Sequence, residues 1–481
     1  MISVLLNRNQ LYLLFIFIAI LATRLASSIY YIEDIDSLRF ALSLYEYDIL
    51  NLQPHFPGYP IFCFVAKIFY YFSGNMGISF SAIGALSTFF IIYFSLQLAN
   101  TDIKSPEGLF MAFIIFFNPM VWILSNRYMP DLMGFAIALA VLYYFIFPHG
   151  NKNHLSIGYI LAGLLCGTRL SYFPLVLIPF IKNLQGGNAL KKLNYFIIGI
   201  VAWLIPMISI EGFTNLINSA KKQTVGHFMD FGGTAITENN WIDRLLNVIE
   251  SIWSDGLGGY WIARSWQTMF FSAFLLMLIA IGLYTIITNW KYEKYLRRTI
   301  RCIILYFFWI LLFQNVIYKS RHVLPILLIL FIILTIGIEF IINRKSKTLN
   351  IIAIIFSISL IQITGNLVMD HKKPVAISQL KDNINSNYTT IISTQLINYY
   401  LESHQIKSRF INTNNEFQIN DYIENSFDEN TLLIGNFSSI FEKRFNVKKE
   451  ETYYHNPYVN RMWSKIETFS LSLKSNPISD D

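Results

Sequence analysis

Long apolar blocks recur along most of this sequence and constrain its fold more than any other feature. The clear blocks hold about 15 to 22 residues, the length that an α-helix needs to cross a hydrocarbon core roughly 30 Å thick. Only 14% of the 481 residues are charged, against about 25% in an average soluble domain, and the mean hydropathy is +0.45. We therefore predict a polytopic α-helical membrane protein.

Two ambiguous segments decide how many spans the sequence predicts. Residues 58–72 carry Lys67 centrally, and a charge facing lipid is costly, so an interfacial helix is favoured. Residues 155–182 are too long for one untilted span, and Arg169 and Pro174 predict a break between two short helices. With these assignments we predict about eleven transmembrane helices, the clear ones near 11–31, 78–98, 108–124, 131–147, 192–210, 267–288, 300–317, 322–342 and 348–367.

The basic residues predict the orientation, because cytoplasmic loops carry an excess of Lys and Arg. The opposite choice for both ambiguous segments would leave Lys104 and Lys152 outside. The chosen division places the N-terminus in the cytoplasm, together with the basic loops 99–107, 148–154, 182–192, 289–301 and 343–347. The regions predicted to be external are the loops 32–77, 125–131 and 211–266, the segment 318–322 and the tail from residue 370.

The net charge of +7 does not indicate a nucleic-acid partner, because the basic residues cluster in short loops between spans. The predicted partner of this surface is the lipid bilayer. Cys63, Cys166 and Cys302 all lie in apolar segments. That placement favours inert buried thiols over a disulfide or a metal site.

The tail differs from the rest of the chain, because short apolar runs there alternate with polar helical stretches. We predict a transmembrane module over residues 1–369 and a small extracytoplasmic α/β domain over 370–481. It has no glycine-rich phosphate loop, so we expect a docking role and not a nucleotide site. The predicted strands are TTIIST (389–394), SRFINT (408–413) and TLLIGN (431–436), and the predicted helices are QLINYYLESHQI (395–406) and FSSIFEKRFNVK (437–448).

Three carboxylates, Glu33, Asp34 and Asp36, follow the first apolar block directly. A carboxylate tethered to the outer end of a span is held near the lipid headgroups, where a general base for a lipid-linked substrate is needed. Glu33 and Asp34 also fit a simpler role, solvating the end of the first helix. Asp36 opens an amphipathic run that would hold it at the interface. Asp36 is therefore the favoured catalytic base, with Asp34 as the alternative.

The residues that follow carry a family resemblance. D-S-L-R-F-A-L (36–42), Y-D (47–48) and P-H-F-P-G-Y-P (54–60) together resemble the first external loop of GT-C integral membrane glycosyltransferases. These are the protein O-mannosyltransferase and aminoarabinose-transferase-like enzymes and their bacterial relatives. The sequence departs from the family pattern in two places, because Asp36-Ser37 replaces its common D-E pair and Phe56-Pro57 replaces its P-P.

The resemblance implies a function and a second polar site. In that family an acidic or polar residue follows the third span, and the matching position here is Asp131 in NRYMPD (126–131). The implied reaction moves a sugar from a polyprenyl-phosphate donor to an acceptor, with inversion and without a nucleotide sugar. The acceptor, whether glycan, lipid or protein, stays open, as does the sugar. Abundant Ile, Asn and Lys favour a prokaryote, and hence undecaprenyl phosphate as the carrier.

A lipid-phosphate leaving group must be neutralised in a partly dry site, which favours convergent Arg and Lys. Simpler roles compete: Lys67 suits snorkelling, and Arg127 has the spacing to pair with Asp131. His55 with Asp34 or Asp36 is compatible with a divalent metal, although a lone histidine is more often a hydrogen-bonding strut, so no cofactor is firmly implied. The candidate substrate-binding residues are His55, Lys67, Arg127, Asp131, Arg169, Arg321 and His322.

Two other classes of protein compete with an enzyme. A transporter or flippase of lipid-linked saccharides usually has two related halves and charges near the bilayer midplane. No internal repeat is visible here, and the informative polar groups gather on one predicted face. A non-catalytic scaffold would not need the constellation over residues 33–60. The one-sided arrangement favours an enzyme that works on the outer face.

Overall fold

The structure is a computed structural model that describes residues 8–147, 153–230, 232–238, 240–262, 264–290, 294–316, 319–344, 347–384 and 388–474. The chain forms two compact units, Met1–Tyr30 with Arg39–Lys372, and Tyr31–Leu38 with Lys373–Asp481. The second unit therefore includes the acidic segment that follows the first helix. Three basic residues of the predicted cytoplasmic loops, Lys152, Lys291 and Lys345, lie outside the described residues.

Helices make up most of the first unit. They are α1 Arg8–Ala26, α2 Ile35–Leu42 (which begins in the second unit), α3 Pro60–Ser73, α4 Met76–Leu98, α5 Pro106–Phe116, α6 Pro119–Asn126, α7 Asp131–Ile146, α8 Asn153–Arg169, α9 Phe173–Gln185, α10 Ala189–Glu211, α11 Phe213–Val225, α12 Trp241–Glu250, α13 Trp266–Thr288, α14 Lys294–Phe313, α15 Leu327–Asn343 and α16 Lys347–His371. Within the described residues, seven helical segments are long and apolar enough to cross a membrane, or eight if one bent pair is a single span. The polytopic helical prediction is confirmed, but the count of eleven is not.

The apolar block predicted as a span near 108–124 is bent. It consists of α5 and α6, which meet at 51°. Pro119 opens α6, and a proline disfavours helical backbone at the residue before it. Asn118 fills that position, caps α6 by accepting from Val121 N at 3.0 Å, and donates to Gly256 O at 2.7 Å. The apolar content alone did not reveal this bend.

The predicted break in 155–182 is present. α8 ends at Arg169, a 3-10 turn covers Leu170–Tyr172, and α9 begins at Phe173. The two helices still form one candidate span, His154–Gln185. The position of the break is confirmed, whereas the division into two separate spans is not.

The long loop between α10 and α13 is anchored on the carboxyl end of α14. The last carbonyls of a helix lack partners within the helix and need outside donors. Burial lowers the pKa of His227, so its imidazole stays neutral where it contacts the carbonyl of Phe313. The contacts are Arg244 Nε to Leu311 O at 3.0 Å, Ala235 N to Leu312 O at 2.9 Å and His227 Nε2 to Phe313 O at 2.8 Å.

We expect Arg244→Met to loosen this loop. The variant leaves Leu311 O and Gly233 O, both bonded by Arg244, without that donor, at a cost of about 1–3 kcal/mol. Thermal melting in detergent should show a lower Tm, and limited proteolysis should cut the loop faster. Lys222→Met, which removes an exposed charge from α11, is the control. Equal melting and cleavage of the two variants would contradict the anchoring role.

The second unit is an α/β domain around one five-stranded sheet of order β2-β1-β3-β5-β4. β1 pairs in parallel with β2 and β3, and β5 pairs antiparallel with β3 and β4. Its core includes Ile392, Ile411, Leu433, Tyr422 and Phe445. The elements are β1 Thr390–Ser393, β2 Arg409–Asn412, β3 Thr431–Ile434, β4 Phe445–Tyr454 and β5 Lys465–Leu473, with helices α17 Ala376–Asn383, α18 Gln395–Ser403, α19 Glu416–Glu424 and α20 Ser438–Phe441.

The three predicted strands and the helix after the first of them are confirmed. The helix predicted over 437–448 is wrong beyond its first turn. α20 ends at Phe441, and β4 begins at Phe445 and pairs with β5 through Phe445↔Leu473. The pairing partner lies more than twenty residues further along the chain, so the local pattern of apolar residues did not reveal it.

Candidate functional site

The Asp131 carboxylate is the centre of the candidate site. Asp131 is the first residue of α7 and is 1% exposed. The free N–H groups of a helix N-terminus favour a negative charge there. Arg169 Nη2 lies 2.9 Å from Asp131 Oδ1, and Arg321 Nε lies 3.6 Å from Oδ2. Arginine stays protonated in proteins, so these three side chains carry two positive charges and one negative charge.

Two tyrosine hydroxyls complete this arrangement. Arg169 Nη1 donates to Tyr59 Oη at 3.2 Å, and Tyr172 Oη donates to Asp131 Oδ1 at 3.3 Å. The Arg169 guanidinium also lies over both rings, 5.7 Å and 5.6 Å from their centroids. We name Asp131, Arg169, Arg321, Tyr59 and Tyr172 the Asp131 cluster. It joins α7, α8 and the turn before α15.

Arg321 reaches the cluster from a buried 3-10 turn, Ser320–Ile326. Tyr306 Oη donates to His322 O at 3.0 Å, and the Tyr306 ring packs edge-on against Tyr172 at 5.9 Å. These contacts fix the turn against α14. His322 is buried there, and its Nδ1 has no hydrogen-bond partner among the described residues.

The proline-framed turn around His55 presents Tyr59 to the cluster. His55 Nε2 lies 3.2 Å from Tyr59 Oη, and the Phe40 ring packs edge-on against Tyr59 at 5.1 Å. Tyr59 has a φ of 44° and Gly58 a φ of 80°. Only glycine adopts such a backbone without strain. The contacts with His55 and Phe40 hold Tyr59 in this strained conformation at the start of α3.

Gly134 makes room for Arg169. It lies one turn after Asp131 on α7, and a Cβ built at Gly134 would stand 2.4 Å from Arg169 Cβ. That distance is shorter than any packing contact allows. α7 and α8 can approach closely enough for the Arg169–Asp131 ion pair because residue 134 has no side chain.

Two other predicted residues, Lys67 and Arg127, are not members of the Asp131 cluster as defined above. Lys67 is half-buried on α3 and makes no hydrogen bond or ion pair within the part of the chain that the structure describes. Arg127 is buried at the carboxyl end of α6, four residues before Asp131. Neither placement assigns the residue a role.

The predicted acids belong to the second unit. Asp34 caps α2, since Ser37 N donates to its Oδ1 at 2.8 Å, and Asn460 Nδ2 donates to its Oδ2 at 3.1 Å. Asp36 lies in the first turn of α2. Glu33, Asp34 and Asp36 are exposed by 2% or less. Such burial does not fit the simpler role of solvating the end of α1.

Metal ligation by His55 stays a prediction. Among the described residues, no group of three or more His, Cys, Asp or Glu side chains is arranged to hold a metal ion.

The tyrosines of the cluster were missed in the sequence. Tyr59 and Tyr172 stand in the same short motifs, PHFPGYP and GTRLSYFP, as the predicted residues His55 and Arg169. A tyrosine beside a helix break within an apolar segment was the available signal. Tyr306 carries no such signal, because it lies inside the apolar run of α14.

Neither a protein-family model nor a curated protein matches the sequence. Among solved structures, ArnT from Cupriavidus metallidurans bound to undecaprenyl phosphate matches over 95% of this chain and 97% of that chain, at 10% identity and a TM-score of 0.53. Its apo form matches with the same coverage and identity and a TM-score of 0.48. The apo oligosaccharyltransferase of Archaeoglobus fulgidus matches over 98% of this chain and 75% of that chain, at 11% identity and a TM-score of 0.47.

The similarity to undecaprenyl-phosphate-bound ArnT concerns the fold. It covers nearly the whole of both chains. The chain shares the fold of this structure, which confirms the fold that the resemblance implied, and its seven or eight candidate spans among the described residues support a multi-pass membrane protein.

We expect the Asp131 cluster to depend on its single negative charge. Asp131→Asn leaves two buried guanidiniums without the negative charge of this carboxylate, and breaking a buried ion pair costs about 3–5 kcal/mol. Thermal melting in detergent should show a large fall in Tm. Glu46→Gln, at an exposed position, is the control. Adding Arg321→Met to Asp131→Asn should restore part of the stability, because one of the two buried guanidiniums that have lost the Asp131 charge is removed. Equal melting of Asp131→Asn and Glu46→Gln would contradict the coupling.

Proposed function

We propose that this protein is a membrane glycosyltransferase that moves a sugar from a polyprenyl-phosphate donor to an acceptor on the extracytoplasmic face. The observation that carries the proposal is the convergence of two buried guanidiniums, Arg169 and Arg321, on the Asp131 carboxylate within a GT-C fold. The matched ArnT structure was solved with undecaprenyl phosphate bound. We assign the same class of lipid carrier to this chain.

Arg169 and Arg321 are proposed to bind the donor phosphate. When the bond between sugar and phosphate breaks, the phosphate oxygen gains negative charge, and guanidinium groups in a dry site stabilise that charge strongly. Asp131 lies within ion-pair distance of both guanidiniums and holds them in place. Tyr59 and Tyr172 orient the cluster through their hydroxyls. We add His55, Lys67, Arg127 and His322 as further candidate substrate-binding residues.

Asp36 is proposed as the general base. It takes the proton of an acceptor hydroxyl or amine while the acceptor atom attacks the anomeric carbon. The bond from that carbon to the phosphate oxygen breaks, and polyprenyl phosphate leaves with the electron pair, so the configuration inverts. Asp34, whose two oxygens accept from Ser37 N and Asn460 Nδ2, is the alternative base.

The proposed orientation follows the positive-inside distribution of basic loops. It places the N-terminus in the cytoplasm and the α/β domain outside. The proposal names undecaprenyl phosphate as the carrier and leaves the sugar and the acceptor class, whether glycan, lipid or protein, to be determined.

We expect purified wild-type protein in nanodiscs to transfer label from a radiolabelled undecaprenyl-phosphate monosaccharide to a membrane extract. Asp36→Asn should lower the rate by about 10²–10⁴-fold, the usual contribution of a general base, and should still bind the donor. Asp34→Asn should lower it less. Glu46→Gln is the exposed-acid control, and an EDTA-treated sample tests for a metal requirement.

Three outcomes would contradict parts of this proposal. Full transfer by Asp36→Asn would move the base to Asp34 or Glu33. Donor binding without transfer by the wild type, together with movement of the donor across a vesicle membrane, would favour a flippase. A wild-type protein that binds no lipid-phosphate sugar would contradict the whole proposal.

A further inference from the structure

The second unit holds the start of α2 through buried polar contacts that the proposed reaction does not use. Asn460 Nδ2 donates to Asp34 Oδ2 at 3.1 Å, and the two side chains are 3% and 1% exposed. A buried carboxylate needs donors for both of its oxygens. Ser37 N supplies one of them and Asn460 supplies the other.

A second contact determines which way the Asn460 amide points. Met462 N donates to Asn460 Oδ1 at 2.9 Å. Because an N–H group must face an acceptor, the oxygen end of the amide faces Met462 and the NH₂ end faces Asp34. The Asn460 side chain is therefore a donor to Asp34 that is fixed at both ends.

His455 in turn fixes the backbone of Asn460. Its Nδ1 accepts from Ala376 N at 3.0 Å, and its Nε2 lies 2.8 Å from Asn460 O. Since Nδ1 accepts, it carries no proton, and Nε2 is the protonated nitrogen that donates to the carbonyl. His455 and Asn460 are both buried. Through His455, the position of Asn460 depends on a contact with α17 as well as on contacts within its own loop.

Tyr400 holds the same segment through a further contact. Its hydroxyl donates to Ile32 O at 2.7 Å, two residues before Asp34. The Tyr400 side chain is fully buried. Residues 32 and 34 are thus both held by side chains of the α/β domain.

We infer that Asn460 is a positioning residue for the general base. Asp34 is the cap of α2, and Asp36 lies two residues later in the first turn of that helix. A displacement of the cap therefore displaces Asp36. The inference rests on the proposed function, from which Asp36 takes its role, and it gives the α/β domain a part in catalysis beyond docking.

The test is a reciprocal exchange of the two partners. Asn460→Asp places two carboxylates face to face, and Asp34→Asn places two amides face to face. A misplacement of 1 Å costs on the order of 10²-fold in rate, so each variant should lower kcat by about one to two powers of ten with little change in the donor KM. The double variant restores one donor and one acceptor with their roles exchanged, and Asn is as good a helix cap as Asp. It should recover most of the wild-type kcat.

Asn446→Asp, at an exposed position of β4, is the matched control for the added charge and should transfer at the wild-type rate. Tm values of the wild type, both single variants and the double variant report the contact without any activity. They should show the same rescue.

Transfer by the wild type with normal kcat in both single variants would overturn this inference alone. So would a double variant as slow as the slower single variant. No transfer by the wild type would overturn the proposed function and this inference with it.

Discussion

The buried carboxylate of Asp131 is the interaction on which the first unit depends. Two guanidiniums and one carboxylate at this depth are expensive to desolvate, and such groups within a membrane bundle are rare. Their mutual attraction ties α7, α8 and the turn before α15 together. A bundle of apolar helices would be simpler to build without them. Their presence supports the phosphate-binding role proposed above.

The surrounding structure positions the residues of the Asp131 cluster. Gly134 allows α7 and α8 to approach, the 3-10 turn after Arg169 ends α8 at the cluster, and the turn at Gly58 begins α3 with Tyr59. Each is a local departure from a straight, regular helix. The long apolar helices supply the frame, and these departures place the polar atoms.

The sequence predicts the elements whose signal is local. The break beside Arg169 follows from Pro174 and the length of its segment, and the strands around Ile392, Ile411 and Leu433 follow from short apolar runs. Asp131, Arg169 and Arg321 were named as candidates from charge in apolar surroundings and from family resemblance. Their convergence was not predictable, because it depends on how α7, α8 and the turn before α15 pack. The β4–β5 pairing and the Tyr306 contact are long-range in the same way.

The central claim, that the two guanidiniums of the Asp131 cluster bind a lipid phosphate, is tested most directly by comparing two lipids that differ only in the phosphate group. Binding of undecaprenyl phosphate and of undecaprenol to the purified protein in nanodiscs can be measured by native mass spectrometry. We predict at least about tenfold tighter binding of the phosphate, equal to about 1.4 kcal/mol, and loss of that preference in Arg169→Met and in Arg321→Met. Equal binding of the two lipids by the wild type, or an unchanged preference in both variants, would contradict the claim.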